Sequence, residues 1–219
     1  MLRAGLMARL RISEIFYSLQ GESRTAGLST LFIRLTGCPL RCSYCDTEYA
    51  FSGGEWMELA AVLDQVERSA ARRICVTGGE PLAQTACIEL LDSLLEQGCE
   101  VSLETSGALD ISAVDPRVSR VVDLKTPGSG EETRNRYANL NQLTANDQLK
   151  FVICDRADYD WSCSMLEQYG LIGRCELLFS PAFGRQDPAQ LAEWILADRL
   201  DVRFQLQLHK QLWGEEAGR

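Results

Sequence analysis

The chain has 219 residues, 46% of them apolar and 24% charged, which is ordinary for a globular protein and enough for one sizeable core. Its formal net charge of −9 argues against general nucleic-acid binding and against attachment to anionic membranes. No apolar run approaches a membrane span, and nine cysteines, an odd number in a chain this long, fit a reducing cytoplasmic compartment rather than a disulfide framework.

The first eleven residues are basic, but Arg3, Gly5 and Arg9 interrupt their apolar positions, so they lack the continuous apolar core of a secretory signal. Residues 1–9 are expected to be a flexible extension, with Met7 an alternative start. Leu10 to Leu19 predicts a strand or extended arm that runs into the polar turn Gln20-Gly21-Glu22-Ser23. Ser29 to Leu35 predicts a short strand carrying one charge, Arg34. A cysteine-rich loop follows it, and the apolar spacing of Trp56 to Ser69 predicts a helix. Arg73 to Thr77 reads as a strand ending in Gly78-Gly79-Glu80-Pro81. Leu82 to Gln97 reads as an amphipathic helix closed by Gly98. Glu100 to Glu104 is the next strand, leading into Thr105-Ser106-Gly107, and Arg117 to Leu124 another, ending at Lys125-Thr126-Pro127. Residues 128–146 are polar and read as a loop with one helical turn. Gln148 to Cys154 is a strand, Tyr159 to Tyr169 a helix, and Cys175 to Ser180 a strand stopped by Pro181. Asp187 and Pro188 supply an N-cap and a first helical residue for a helix to about Arg199. Val202 to Leu208 reads as a last strand.

Strands alternating with helices through short connections imply parallel strands with crossover helices. No linker or composition shift divides the chain, so residues 1–219 are expected to form one domain. About six βα units fit, fewer than the eight of a closed barrel. The expected fold is therefore α/β, a partial, curved (βα)6-like barrel. The cysteine loop lies at the C-terminal end of its first strand, and the other notable motifs also follow strand ends, where functional loops of such folds gather.

The densest of these motifs is Gly37-Cys38-Pro39-Leu40-Arg41-Cys42-Ser43-Tyr44-Cys45-Asp46-Thr47. Three cysteines spaced C-x3-C-x2-C, with Gly37 and Pro39 bracketing the first, sit in a loop that can wrap three thiolates around one soft centre. A zinc finger would need a second ligand pair. The only histidine is His209 and the other six cysteines are scattered singly. Three ligands without a fourth would leave one iron of a four-iron cluster open to a substrate or cofactor. Gly78-Gly79-Glu80-Pro81 lets backbone approach a ligand, although alone it also fits a tight strand-to-helix turn. Glu104-Thr105-Ser106-Gly107 offers a carboxylate and two hydroxyls, which could equally cap a helix. Lys125 puts a cation at the next strand end, where it could pair a carboxylate or simply face solvent.

The cysteine spacing, with Tyr44 just before the third cysteine, resembles the signature of the radical S-adenosylmethionine (SAM) enzymes. The resemblance implies a [4Fe–4S] cluster on Cys38, Cys42 and Cys45, with SAM chelating the open iron and yielding a 5′-deoxyadenosyl radical. It also implies SAM contacts from Tyr44, Asp46, Gly79, Glu80, Thr105, Asp123, Lys125 and Ser180. Further motifs are Tyr17-Ser18-Leu19-Gln20-Gly21-Glu22, Phe32 to Cys38, Cys45-Asp46-Thr47-Glu48-Tyr49 and Leu206-Gln207-Leu208-His209-Lys210. These resemble the 7-carboxy-7-deazaguanine synthase family over nearly the whole chain. That resemblance implies a lyase converting 6-carboxy-5,6,7,8-tetrahydropterin to 7-carboxy-7-deazaguanine with loss of ammonia, in queuosine and 7-deazapurine biosynthesis. It implies Mg²⁺ on Thr47, and substrate contacts from Leu19, Gln20, Gly21, Glu22, Arg34, Thr77 and His209. No catalytic residue beyond the cofactor is expected, and an electron donor such as flavodoxin and a homodimer are. Ser23 stands where the family usually has glycine, and Pro39 where asparagine is common. The alternative is a glycyl-radical enzyme activating enzyme, which shares the cysteine spacing but acts on a protein. A metal- or redox-sensing module is the alternative from another class.

Overall fold

The computed structural model describes residues 8–214 together with Glu216 and Gly218. Residues 1–7 of the expected N-terminal extension lie outside the described residues. The extension ends earlier than expected, because Arg9 already pairs with Glu58 in a strand and Ala8 O accepts from Leu59 N at 2.8 Å.

Among the described residues nine strands form one open sheet in the order β3-β1-β2-β4-β5-β6-β7-β8-β9. They are β1 (Arg9–Leu19), β2 (Ser29–Leu35), β3 (Glu55–Glu58), β4 (Arg73–Gly78), β5 (Glu100–Thr105), β6 (Ser119–Asp123), β7 (Gln148–Ile153), β8 (Glu176–Pro181) and β9 (Arg203–Phe204). From β2 to β9 all neighbours are parallel, while β1 pairs antiparallel with both β2 and β3. The expected partial barrel of parallel strands is borne out, with an antiparallel edge added. The helices are α1 (Leu59–Ser69), α2 (Ala86–Glu96), α3 (Arg156–Tyr169), α4 (Pro188–Ala197) and α5 (Leu208–Trp213).

Several boundaries differ from the sequence reading. Trp56 to Glu58 belong to β3, because edge pairing to Leu10 and Arg11 outweighs the helical spacing that continues into α1. The helix expected from Leu82 is split: Pro81–Ala83 form a 3-10 turn, and α2 starts at Ala86. Glu80 takes the Leu82 amide on its side chain at 3.0 Å, which caps that turn separately. Not every strand is followed by an α-helix. The β5–β6 connection is a loop, and the β6–β7 segment holds three 3-10 turns where one helical turn was expected. The last strand shrinks to Arg203–Phe204, and Leu208 begins α5 instead.

One periodicity organises the molecule. Successive side chains of a strand point to opposite faces. Leu31, Ile33 and Leu35 of β2, Ile74 and Val76 of β4, and Val101 and Leu103 of β5 pack against Leu59, Val62, Leu90, Leu91 and Leu94 of α1 and α2. Leu149, Phe151 and Ile153 of β7 join Leu177 and Phe179 of β8 and Tyr159 and Leu166 of α3 in a second core. Leu82 packs against both. Each fully buried leucine contributes about 1.5–3 kcal/mol relative to exposure. The intervening residues, Phe32 and Arg34, Thr77, Glu104, Val121 and Asp123, Lys150 and Val152, and Ser180, face a cavity instead. The six strands thus present one face to the helices and the other to a polar chamber.

Candidate active site

The cavity has a volume of about 700 Å³, within the range of sites that enclose small ligands. Of the residues expected to contact cluster, SAM, Mg²⁺ or substrate, all line it except Glu80. The cysteine loop forms one wall with Cys38, Cys42, Cys45, Tyr44, Asp46 and Thr47. The turn Leu19 to Glu22 and α5 line it as well, α5 touching the cysteine loop at Asp46, and Gly79, Thr105, Asp123, Lys125 and Ser180 lie at strand ends.

Glu80 has a different place. Its side chain is fully buried and accepts from both hydroxyls that follow β5: Thr105 Oγ1 at 2.9 Å to each oxygen, and Ser106 Oγ by a short bond. Ser106 N adds a bond of 2.7 Å. The carboxylate therefore staples the turn after β4 to the end of β5, while the backbone of Gly79 faces the cavity. Gly79 has to be small. A Cβ there would collide with Gly37 O and Cys38 Cβ, so the turn rests directly on the first cysteine. Glu80 N donates to Gly37 O at 2.7 Å.

The cysteine loop is pinned from the other side as well. Ser43 N donates to Ser129 O at 2.9 Å and Ser43 Oγ to Gly128 O at 2.7 Å. Arg185 donates to Ser43 O and Oγ. Behind this contact Asp158 accepts from Gly128 N at 2.7 Å and Thr126 Oγ1 at 2.9 Å. Cys38, Cys42 and Cys45 are free and half-buried, and burial pushes each thiol up, that of Cys42 to about 11. Among the described residues no other cysteine lines the cavity. Among the described residues no three Cys, His, Asp or Glu side chains are placed to hold a single metal ion. Three soft thiols on one irregular loop suit an iron–sulfur cluster, which is larger than one ion. Two polar atoms at the same wall call for a ligand. Tyr44 OH and Asp123 Oδ1 are buried with no hydrogen-bond partner among the described residues. Burial raises the Tyr44 hydroxyl, as expected for a phenol beside Asp123. The residues thus fit a thiolate-bound cluster with a polar cofactor beside it.

The charges in the chamber are paired. Lys125 Nζ lies 2.8 Å from Asp123 Oδ2. Burial opposes both charges, but Lys125 and Lys150 hold the Asp123 carboxyl below the usual range, and Asp123 holds Lys125 protonated. Gln20 Nε2 and Thr77 Oγ1 each donate to Glu104, at 3.1 and 2.9 Å. Arg34 Nε donates to Glu14 at 2.7 Å.

Helix α5 is fastened to two elements, the Leu19–Glu22 turn and the cysteine loop. Leu208 N donates to Gly21 O at 2.9 Å, and Gln207 Nε2 to Glu22 Oε1 at 2.8 Å. Lys210 lies 3.1 Å from Asp46, next to the last cysteine. Partial burial pushes the Asp46 carboxyl up, but Lys210 and the Thr47 hydroxyl outweigh it and hold the group below the usual carboxylate range. A Cβ on Gly21 would collide with the His209 ring, so the glycine of this turn is what lets His209 reach the cavity.

Sequence reasoning missed Lys150, Gln207 and Lys210 as cavity residues, and Glu14 as the partner of Arg34 behind the cavity wall. Lys150 had a signal: it is the one charge in the strand Gln148–Ile153, and it pairs with Glu22 by a short contact. Glu14 had none, because its direction depends on a shift of strand register.

The Radical SAM superfamily model matches residues 32–171. The chain is 45% identical over 214 residues to a 7-carboxy-7-deazaguanine synthase of Chlorobaculum tepidum, covering 96% of this chain and 97% of the relative. It is 41% identical over 222 residues to one of Koribacter versatilis, covering 94% and 98%. In fold it resembles QueE from Escherichia coli, with a TM-score of 0.71 at 23% identity, covering 92% of this chain and 95% of that one.

Proposed function

We infer the reaction from a chain that belongs to the radical SAM superfamily and, within it, to the 7-carboxy-7-deazaguanine synthases. It is a lyase converting 6-carboxy-5,6,7,8-tetrahydropterin to 7-carboxy-7-deazaguanine with loss of ammonia. The observation that carries this reading is one cavity shared by the three-cysteine wall and the Leu19–Glu22 turn, with α5 laid across that turn. No observation favours the glycyl-radical activating alternative.

Cys38, Cys42 and Cys45 would hold a [4Fe–4S] cluster, which would supply the electron for reductive cleavage of SAM. The chain's own residues bind and orient. The backbone edge of Gly79 and the hydroxyl of Thr105 hold SAM, with Tyr44 beside the adenine and Asp123, Lys125 and Ser180 at the strand ends. Glu80 acts from behind by fixing Thr105. Gln20 and Glu22 match the amide-like edge of the pterin, and Glu104, which also accepts from Thr77, holds Gln20 in register. Arg34 takes the substrate carboxylate by a charge-assisted contact. Thr47 offers a hydroxyl to Mg²⁺, which prefers oxygen and keeps waters. His209 and α5 exclude solvent from the reacting atoms. Residues 1–219 act as one domain, in a cytoplasmic homodimer reduced by a donor such as flavodoxin. Among the described residues no helix is long and apolar enough to cross a membrane.

Anaerobic turnover of the carboxy-tetrahydropterin tests the reading, followed by ultraviolet spectrum and mass. The expected product has lost ammonia and absorbs as a deazaguanine. Cleavage of SAM with no such product would reject it.

A further inference from the structure

β1 and β2 are antiparallel, and their register shifts between Ile12 and Glu14. Ile12 lies opposite Leu35, but the residue opposite Arg34 is Glu14 rather than Ser13. The extra residue is a β-bulge, a feature that re-aims side chains beside active sites. Opposite residues of an antiparallel pair share a face. The bulge therefore sets a carboxylate beside the Arg34 guanidinium and turns Ser13 toward Thr36, with its Oγ 2.7 Å from Thr36 Oγ1.

We propose that Glu14 is a positioning residue for substrate recognition, holding Arg34 by Nε so that its two Nη groups form a fixed fork for the substrate carboxylate. Arg34 Nε donates to Glu14 Oε1 at 2.7 Å, and Tyr49 OH donates to the same oxygen at 2.7 Å. The guanidinium carbon lies 5.7 Å from the centre of the Phe16 ring and 5.8 Å from that of Tyr49. Among the described residues no other group hydrogen-bonds the guanidinium. The Nη edge is thus the edge left for a ligand, and Arg34 lines the cavity. A free arginine would have to be immobilised at the moment of binding, at an entropic cost that the bulge has already removed. The proposal rests on Arg34 being the carboxylate contact of the reading above.

Its test is substrate affinity, measured anaerobically by calorimetry on the cluster-loaded protein with SAM present. Two ligands are compared: the 6-carboxy-tetrahydropterin and the tetrahydropterin without the carboxylate. Glu14→Ala should weaken the first by about tenfold, the scale of one charge-assisted contact, and leave the second within about twofold. Glu14→Gln, which keeps an acceptor for Nε, should recover most of the loss. In an Arg34→Ala background Glu14→Ala should have no further effect, because its action passes through that side chain. Iron content and SAM affinity equal to wild type establish that the variants are folded. Should Glu14→Ala fail that check, Tyr49→Phe takes its place, with a smaller loss of the same carboxylate-selective kind expected. Equal weakening of both ligands, additive effects of Glu14→Ala and Arg34→Ala, or no effect at all would overturn the proposal. If the wild type turns over the carboxylated substrate while any of these holds, only the role of Glu14 falls. If the wild type does not act on that substrate, the functional reading and this inference fall together.

Discussion

At the residue scale, local backbone and single donors account for positions that motif reading left open. The family resemblance led to the expectation of a glycine at Ser23, and the φ of +65° there lies in the left-handed region that favours glycine. Gln205 compensates, accepting from Ser23 N and donating to Ser23 O, both at 2.7 Å and both buried. Ser23→Gly should therefore stay within about 1 kcal/mol of wild type in chemical denaturation, on the stabilising side. A larger loss would mean that the hydroxyl contact to Thr25, at 2.9 Å, matters more than the strain. Thr47 is a second case. Its hydroxyl donates to Asp46 Oδ1 at 2.8 Å and lines the cavity, where it can turn to a cation. Thr47→Ala should raise the Mg²⁺ concentration needed for half-maximal turnover while leaving SAM affinity little changed. An unaltered Mg²⁺ dependence would remove Thr47 from the metal site.

At the scale of elements, two contacts decide whether the chamber is closed and whether its floor is stable. The short helix α5 rests on the Leu19–Glu22 turn through Leu208 and Gln207, and on the cysteine loop through Lys210. Gly21→Ala would drive a methyl group into His209 and displace α5. Turnover should fall sharply, with more abortive cleavage of SAM to 5′-deoxyadenosine, while cluster assembly persists. Deleting the chain from His209 onward should give the same signature. Normal turnover in either variant would refute the closing role. Below the floor, Arg120 of β6 and Asp147 are paired at 2.5 Å with side chains 4% and 0% exposed. Asp147 also accepts from Thr144 N at 2.7 Å, so the turn before β7 depends on it. Burial pushes this carboxyl up, yet the bonds from Arg120 and Thr144 hold it below its ordinary value. A depressed carboxylate stabilises the fold above the unfolded pKa of about 4 and loses that contribution as pH falls through the folded value. Asp147→Asn should cost about 3 kcal/mol at neutral pH, the lower end for breaking a buried pair. It should also flatten the acid limb of the stability profile below about pH 4, measured by urea titration at several pH values.

At the scale of the whole molecule, the site and the cores are separate. Cys38, Cys42 and Cys45 belong to neither apolar core, whereas Cys87 is buried in the first. Replacing all three loop cysteines by alanine should abolish iron uptake and the reduced-cluster electron paramagnetic resonance signal. The thermal midpoint of the iron-free protein should shift by no more than about 5 °C, the effect of roughly 1–2 kcal/mol in a chain of this size. Cys75→Ala and Cys87→Ala should do the reverse, retaining iron while losing stability through small cavities. Loss of the signal in either core variant would misplace the cluster.

The sequence by itself determined the strand and helix alternation, the partial barrel and the composition of the cavity wall. The alternation and the barrel follow from short-range rules, apolar periodicity with glycine and proline breaks; ligand spacing within eleven residues from Gly37 to Thr47 marked the cysteine wall, and the rest of the wall came from the family resemblance. It also placed the site at the strand ends, because parallel strands deliver all their following loops to one edge. Only the tertiary structure decided that Trp56 to Glu58 form an edge strand, since pairing to β1 is non-local. The same holds for Glu80, which reads as a cofactor contact in one dimension but finds Thr105 and Ser106 across the sheet. The partners of Arg34 and Glu22 came from β1 and β7. A one-residue bulge and a contact spanning more than a hundred residues leave no local pattern, because each depends on how strands far apart in the chain are brought into register.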